Sequence, residues 1–294
     1  HMTTAGDAEA QVPEGGLSPD VWARRDLYED NPVTQLLVPN SRFHAISGKS
    51  GAFEIRNNYG IWAASASDAP LDPDLLWARL PPGAVPGDTL DAVVWNVPAN
   101  LPHIPVSEVR ESHKAAITFN EGTDTEPGLR SPQLGAMHAA LGYWTTKRKT
   151  PATIVMPTGT GKTETMLALL VAARPTRLLV LVPSDALREQ VAGKFETLGV
   201  LQELGIVTDS AVRPVVGRIQ HGFTAANTAT AFAESCNVIV ATPQSLTACA
   251  PDALSAITAA CSHLFIDEAH HVAARTWSAI RQDFAAKNVV QFTA

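Results

Sequence analysis

No stretch of this chain is long and apolar enough to cross a bilayer. The densest apolar run, Leu178 to Val182, has the length of a strand, far short of the roughly 20 residues a spanning helix needs. No charged start leads into an apolar signal core, so the expectation is a soluble, cytoplasmic chain without membrane partners. Cysteine is scarce: Cys236, Cys249 and Cys261 form no Cys-x-x-Cys pair, and their odd number argues against a disulfide framework. They read as buried apolar thiols. Histidines at zinc spacing are lacking too, since His270 and His271 are adjacent and point in different directions. Internal repeats are absent. A strong basic footprint is also missing, which counts against a broad grip on phosphate backbone.

Charge is unevenly spread within the overall −7. Residues 1–125 carry 8 Lys and Arg against 17 Asp and Glu, a net −9; residues 126–294 carry 14 against 12, a net +2. Hydrophobic residues make up 45% of the 294, enough for a core, and the length suits one large or two ordinary domains. Residues 1–20 are polar and aperiodic and read as a flexible tail. From Phe43 the pattern gives strands over 43–46, 52–56 and 61–64, separated by turns rich in Gly and Asn. Asp72-Pro73 predicts a short helix to about Leu80, with Asp as N-cap and Pro in the first turn. Thr89 to Val97 reads as another strand and Ser107 to Ala116 as a helix. The apolar-free segment 120–128 ends in Pro-Gly and is taken as the boundary of a small α+β accessory domain, residues 21–127.

Residues 128–294 have a different texture. Apolar runs at 152–156, 177–182, 238–242, 263–266 and 289–292 alternate with helical stretches starting near Lys162, Ser184, Pro243 and Ala273. Continuous apolar strands, each followed by a helix, predict an α/β domain with a mainly parallel sheet covered on both faces.

Between the first run and its helix lies Met156-Pro-Thr-Gly-Thr-Gly-Lys-Thr163. Glycines at 159 and 161 let several backbone N–H groups face one anion, and the helix start adds partial positive charge. Lys162 can reach the β- and γ-phosphates of ATP, and the Thr163 hydroxyl can ligate Mg²⁺. Thr158, Gly159, Thr160, Gly161 and Glu164 complete the expected nucleotide site. The strict pattern Gly-x-x-x-x-Gly-Lys-[Ser/Thr] asks for glycine where Met156 stands. About 105 residues later, His263-Leu-Phe-Ile-Asp-Glu-Ala-His270 brings two acids to a strand tip. Asp267 suits Mg²⁺ held through water, and Glu268 suits orientation of an attacking water.

Taken together, these segments resemble the first RecA-like motor domain of a superfamily 2 helicase or translocase of the DEAH-box kind, from Leu129 to Ala294. Leu129-Arg-Ser-Pro-Gln133 resembles the Q-type motif, which makes Gln133 the adenine reader. Residues 156–163 resemble motif I, in which methionine is an accepted first residue. Leu181 to Gln190 resembles motif Ia, Val240 to Leu246 the later strand-binding motif, Asp267-Glu-Ala-His270 motif II, and Gln291 to Ala294 the opening of motif III. The resemblance implies that Ser184, Arg188 and Thr242 meet nucleic-acid phosphates, and that His270 and Thr293 couple ATP state to movement. Plain alternatives stay open: Arg188 as a solvated helix residue, Thr242-Pro243 as a helix cap. The details lean towards restriction-type DNA motors, so DNA is expected over RNA. The second RecA-like domain, with its arginine fingers, would lie outside this chain, and the chain alone is expected to turn over ATP poorly. An ATP-gated nucleic-acid sensor without processive movement is the competing expectation. The acidic front half is expected to favour protein contact or solubility over a grip on DNA.

Overall fold

The computed structural model describes residues 17–48, 53–66, 74–99, 101, 103–123, 125–146, 150–268, 280 and 282–294. Two compact units share the chain. Residues up to Ala23 and Leu36–His103 form the smaller, and Arg24–Gln35 with Ile104–Ala294 form the larger. The boundary expected at 128 thus differs from the division after His103, and residues 24–35 belong to the large unit.

The small unit is a six-stranded sheet in the order β7-β3-β4-β5-β6-β8. Its strands are β3 (Phe43–Ser47), β4 (Phe53–Asn57), β5 (Gly60–Ser65), β6 (Trp77–Arg79), β7 (Thr89–Leu90) and β8 (Val94–Asn96). Phe43, Trp62 and Trp95 meet edge to face, with centroids 5.7–6.0 Å apart, the geometry that ring quadrupoles favour. Two expectations are corrected here. The helix to Leu80 is replaced by β6, which pairs with β5 and β8. Its capping signal, Asp72-Pro73, lies outside the described residues. Burial of Trp77 and Ala78 in this core overrides the local signal. The single strand over 89–97 is two short ones on opposite edges of the sheet.

The large unit is built on the sheet β1-β2-β11-β12-β10-β13-β14-β9. Its strands are β1 (Val21–Tyr28), β2 (Asn31–Val38), β9 (Ala152–Val155), β10 (Leu178–Leu181), β11 (Val216–Ile219), β12 (Val238–Ala241), β13 (His263–Ile266) and β14 (Asn288–Thr293). From β11 to β9 every pairing is parallel. β2 adds an antiparallel edge, pairing Val33 and Thr34 with Gly217 and Val216. Residues 21–23 and 36–38 of the first two strands belong to the small unit.

Helices α1 (Val106–Ser112), α2 (Ser131–Trp144), α3 (Lys162–Ala173), α4 (Asp185–Thr197), α5 (Ala226–Glu234), α6 (Pro243–Thr247) and α7 (Pro251–Ala260) accompany it. Leu178 and Val180 of β10 belong to one buried cluster with α2, α3 and α4, while Leu179 and Leu181 belong to a second with α5 and α7. Alternate residues of one strand therefore serve two cores. That is why the strand is apolar throughout. The helix expected from Ala273 lies mostly outside the described residues. No described helix is long and apolar enough to cross a membrane.

Candidate nucleotide site

β9 ends at Val155 and α3 begins at Lys162, so residues 156–161 form the loop between them. Gly159 and Gly161 take φ of +81° and +91°, which L side chains rarely adopt. The loop closes on itself through Thr160, whose N–H and hydroxyl both donate to the Pro157 carbonyl at 3.2 and 2.6 Å. Met156 stands in the position where the strict motif has glycine. It is 2% exposed, packed in the core beneath the loop, and its N–H donates to the Thr293 carbonyl at 2.9 Å. Its sulfur accepts from the Thr165 hydroxyl at 3.7 Å. The residue is a floor of the loop rather than part of its anion-facing rim.

Motif spacing alone does not reveal how the loop is braced from α2. The Gln133 side-chain oxygen accepts the Arg130 N–H at 2.8 Å, and its amide nitrogen donates to the Gly161 carbonyl at 3.3 Å. Arg130 Nη1 donates to the Gly159 carbonyl at 2.9 Å. In this state the Gln133 amide therefore braces the loop. Arg130 carries no sequence signal of its own beyond its place in the segment 129–133.

β13 delivers the acids. Asp267 N–H donates to the Leu181 carbonyl at 2.8 Å, fixing the strand tip against β10. Asp267 is 8% exposed, and its Oδ1 is buried without a hydrogen-bond partner. Burial raises its carboxyl above the usual range; Lys162 opposes this, while the neighbouring Glu268 reinforces it. Glu268 has φ +50°, a left-handed conformation outside the glycines' preserve. Its carboxylate pairs with Lys162 Nζ. An orphaned buried carboxylate oxygen beside a cationic loop is a donor set that suits a hard divalent cation.

These residues open onto a cavity of about 560 Å³, lined by Arg130, Gln133, residues 158–164 apart from Thr160, and Glu268. The far wall is aliphatic, made by Val200, Leu201, Leu204 and Ile206. That wall falls in an irregular segment after α4, where no periodicity marks it in the sequence. At the mouth, Glu164 pairs with Lys194 at 3.7 Å.

The three expected phosphate contacts are placed differently from one another. Ser184 is exposed and caps α4, accepting from the Leu187 N–H. Arg188 is 6% exposed and bonded to Asp185 at 2.6 Å, Glu189 at 3.2 Å and the Ile219 carbonyl at 3.3 Å. The solvated-helix alternative for Arg188 is therefore corrected. Thr242 is buried and caps α6, in a reciprocal arrangement with Ser245. Thr293 sits at the end of β14, in register with Val155. His270 lies outside the described residues.

The model of one family, the type III restriction enzyme res subunit, matches residues 126–294. The chain belongs to that family. The matched region falls within the α/β unit with the mainly parallel sheet, and the small β unit, which ends at His103, precedes it in the chain. Among solved structures, the UvsW helicase of bacteriophage T4 is 13% identical, with a TM-score of 0.38 over 65% of this chain and 60% of that one. A hypothetical ATP-dependent RNA helicase from Sulfolobus tokodaii is 18% identical, with a TM-score of 0.35 over 54% and 50%. The Mycobacterium smegmatis helicase Lhr, bound to ssDNA and AMP-PNP, is 22% identical, with a TM-score of 0.39 over 63% and 24%. This res-family chain spans at most 60% of the length of these structures. No curated protein matches it.

Proposed function

We propose that the large unit is the nucleotide-binding half of a nucleic-acid-dependent ATPase motor, acting on DNA by translocation or unwinding. The observation that carries the reading is the meeting of Lys162 with Glu268 at the glycine loop, beside the unpartnered Asp267 oxygen. In this reading ATP phosphates lie on the N–H groups of residues 158–163 and on Lys162. Gln133 and Arg130 hold the loop open in its anion-binding form. Thr163 and Asp267 would hold Mg²⁺, which supplies charge neutralisation for the phosphates when bound. Glu268, exchanged on Lys162 for the incoming phosphate, would orient the attacking water. Membership of the restriction family favours DNA over RNA and a role in restriction or defence, and the DEAH-type reading of residues 267–270 fits it.

Titration of the chain with a fluorescent ATP analogue, with and without Mg²⁺, tests the site. Binding that depends on both Mg²⁺ and Lys162 is expected, and saturable binding that survives Lys162→Ala sinks the reading. Anisotropy with labelled single-stranded DNA, duplex DNA and RNA tests the polymer. The ATP-gated sensor keeps a foothold in one observation. Arg188 is committed to ion pairs and Thr242 to a cap, so the strand grip of this face is modest. ATPase without duplex or triplex displacement by the full-length enzyme favours the sensor.

A further inference from the structure

β1 and β2 are joined by only Glu29 and Asp30, with φ of +44° and +62°. A two-residue hairpin with both central residues left-handed is a type I′ turn, which normally uses Asn-Gly or Asp-Gly. Here neither residue is glycine. The conformation persists because its neighbours over-determine it. Asn31 is fully buried. Its side-chain oxygen accepts the N–H groups of Gln220 and His221 at 2.7 and 2.9 Å, and its amide donates to the Glu29 carbonyl at 3.0 Å. The Glu29 carboxylate accepts both the N–H and the hydroxyl of Thr224, at 2.7 and 2.9 Å.

These four bonds from Asn31 and Glu29 end on residues 220–224, and Glu29 is held further by Ala225 and Thr228 just beyond. That segment follows β11, so it lies at the carboxyl-terminal edge of the parallel strands, the edge that also carries the glycine loop, Ser184 and Thr242. Ligands of open parallel sheets gather at that edge. The segment is gripped from other sides as well. A Cβ on Gly222 would stand 2.2 Å from the Ala248 carbonyl, at the end of the helix that Thr242 caps. Gln220 donates to Glu189 of α4 at 3.3 Å, one turn beyond Ser184. His221 and Thr224 are exposed on it.

We propose that the β1–β2 turn is a positioning device for the nucleic-acid-facing edge: Glu29 and Asn31 hold residues 220–224 in the conformation that a phosphate backbone meets. The inference rests on the motor reading above. It gives the amino-terminal hairpin a function within the motor, beyond sheet extension. The electrostatics provide a sharp test. Glu29 is an acid on a face meant for phosphates, so charge alone predicts tighter binding when it is removed. Positioning predicts the opposite.

The test compares the parent chain with Glu29→Ala, Glu29→Gln and Thr224→Ala, using anisotropy with a labelled single-stranded oligodeoxynucleotide. A fluorescent ATP analogue and thermal melting serve as controls. Glu29→Ala is expected to weaken oligonucleotide binding about 3- to 10-fold, the scale of one or two lost hydrogen bonds, with ATP-analogue affinity unchanged. Glu29→Gln keeps an acceptor oxygen and should bind as the parent does or tighter. Thr224→Ala loses only the hydroxyl donor and should show a smaller loss; it also stands in should Glu29→Ala fold poorly. Oligonucleotide affinity that is unchanged or improved in both alanine variants overturns the inference while leaving the motor reading intact. A parent chain that binds the ATP analogue but no nucleic acid overturns the motor reading, and this inference with it.

Discussion

Lys162 Nζ and the Glu268 carboxylate are joined in an ion pair across 106 residues of sequence. The lysine that should grip phosphate is thus occupied by the acid that should handle water. Any phosphate arriving at the loop competes with Glu268 for the same cation. Both side chains are largely shielded, at 12% and 23% exposure, so the competition takes place away from bulk screening. Glu268→Gln removes the competitor and one negative charge beside the phosphates. It is expected to tighten ATP-analogue binding about 3- to 10-fold, the equivalent of roughly 1 kcal/mol. Lys162→Ala should abolish that binding. Weaker binding by Glu268→Gln in a fluorescence titration would show that the pair does not compete with nucleotide.

Gly161 and Gln133 make a second pair whose coupling can be measured. A Cβ at 161 would lie 2.0 Å from the Gln133 amide nitrogen, and the backbone there is at φ +91°. Gly161→Ala therefore suffers twice: a clash that Gln133→Ala relieves, and a conformational cost of about 1–2 kcal/mol that it does not. In a double-mutant cycle read by thermal melting, the double variant should be more stable than the sum of the single losses predicts. It should still melt below Gln133→Ala by several degrees. Simple additivity would mean that the glutamine is not held against the loop.

How much of this was legible beforehand varies with the physics of each segment. The strands β10, β12 and β13 are apolar runs because both faces of the sheet are buried there, and that pattern is local; β9, at the sheet edge, is apolar too but leaves Val155 exposed. β11 is different. Its sequence, Val216-Gly-Arg-Ile219, carries a glycine and an arginine inside a central strand. Gly217 is required by Phe232 and the Cys236 sulfur, 2.5–3.0 Å from where a Cβ would sit. Arg218 is buried against Glu196 at 2.8 Å. Neither reason exists until α4 and α5 are packed, so the run carries no local strand signal. Arg188 shows the same limit at the site: motif position suggests a phosphate ligand, while Asp185 and Glu189, nearby on the same helix, satisfy it internally. The loop's glycines and the paired acids were readable because their chemistry is set by neighbours in sequence.

His113, at the end of α1, gives a pH dependence with a definite sign. It is 3% exposed, and its Nε2 lies 2.9 Å from the Val212 carbonyl. A carbonyl only accepts, so Nε2 carries the hydrogen. Burial lowers the imidazole's pKa below its ordinary 6.5, and Arg174 adds to this. The folded state therefore binds fewer protons than the unfolded one between the lowered value and 6.5. Stability is full above pH 6.5 and is lost as pH falls through that window. Melting temperature should drop from pH 7 towards pH 5, and His113→Gln should flatten that drop relative to the parent. An unchanged slope would assign the acid sensitivity elsewhere.

Cys236, Cys249 and Cys261 are buried and free. Burial raises all three thiols, Cys261 to about 12. Thiolate is the reactive form, so the native chain should resist an aromatic disulfide reagent at neutral pH. Three thiols should appear only on denaturation. Rapid reaction of any one in the folded chain would contradict its burial.

Met156→Gly restores the strict phosphate-loop pattern, and sequence logic alone would expect an improved site. The packing predicts the reverse. Met156 is 2% exposed and belongs to the cluster that joins α2, α3 and the sheet. Removing its side chain empties a core position, at a cost of about 2–5 kcal/mol by analogy with Met→Ala, and glycine adds backbone freedom to the unfolded chain. It also removes the sulfur that accepts from Thr165, whose hydroxyl keeps a second partner in the Gly161 carbonyl at 3.0 Å. The variant should melt well below the parent and bind the ATP analogue no more tightly. Met156→Leu, which keeps most of the volume, should stay within about 1.5 kcal/mol. A glycine variant with undiminished stability would mean that the methionine is not the floor of the loop.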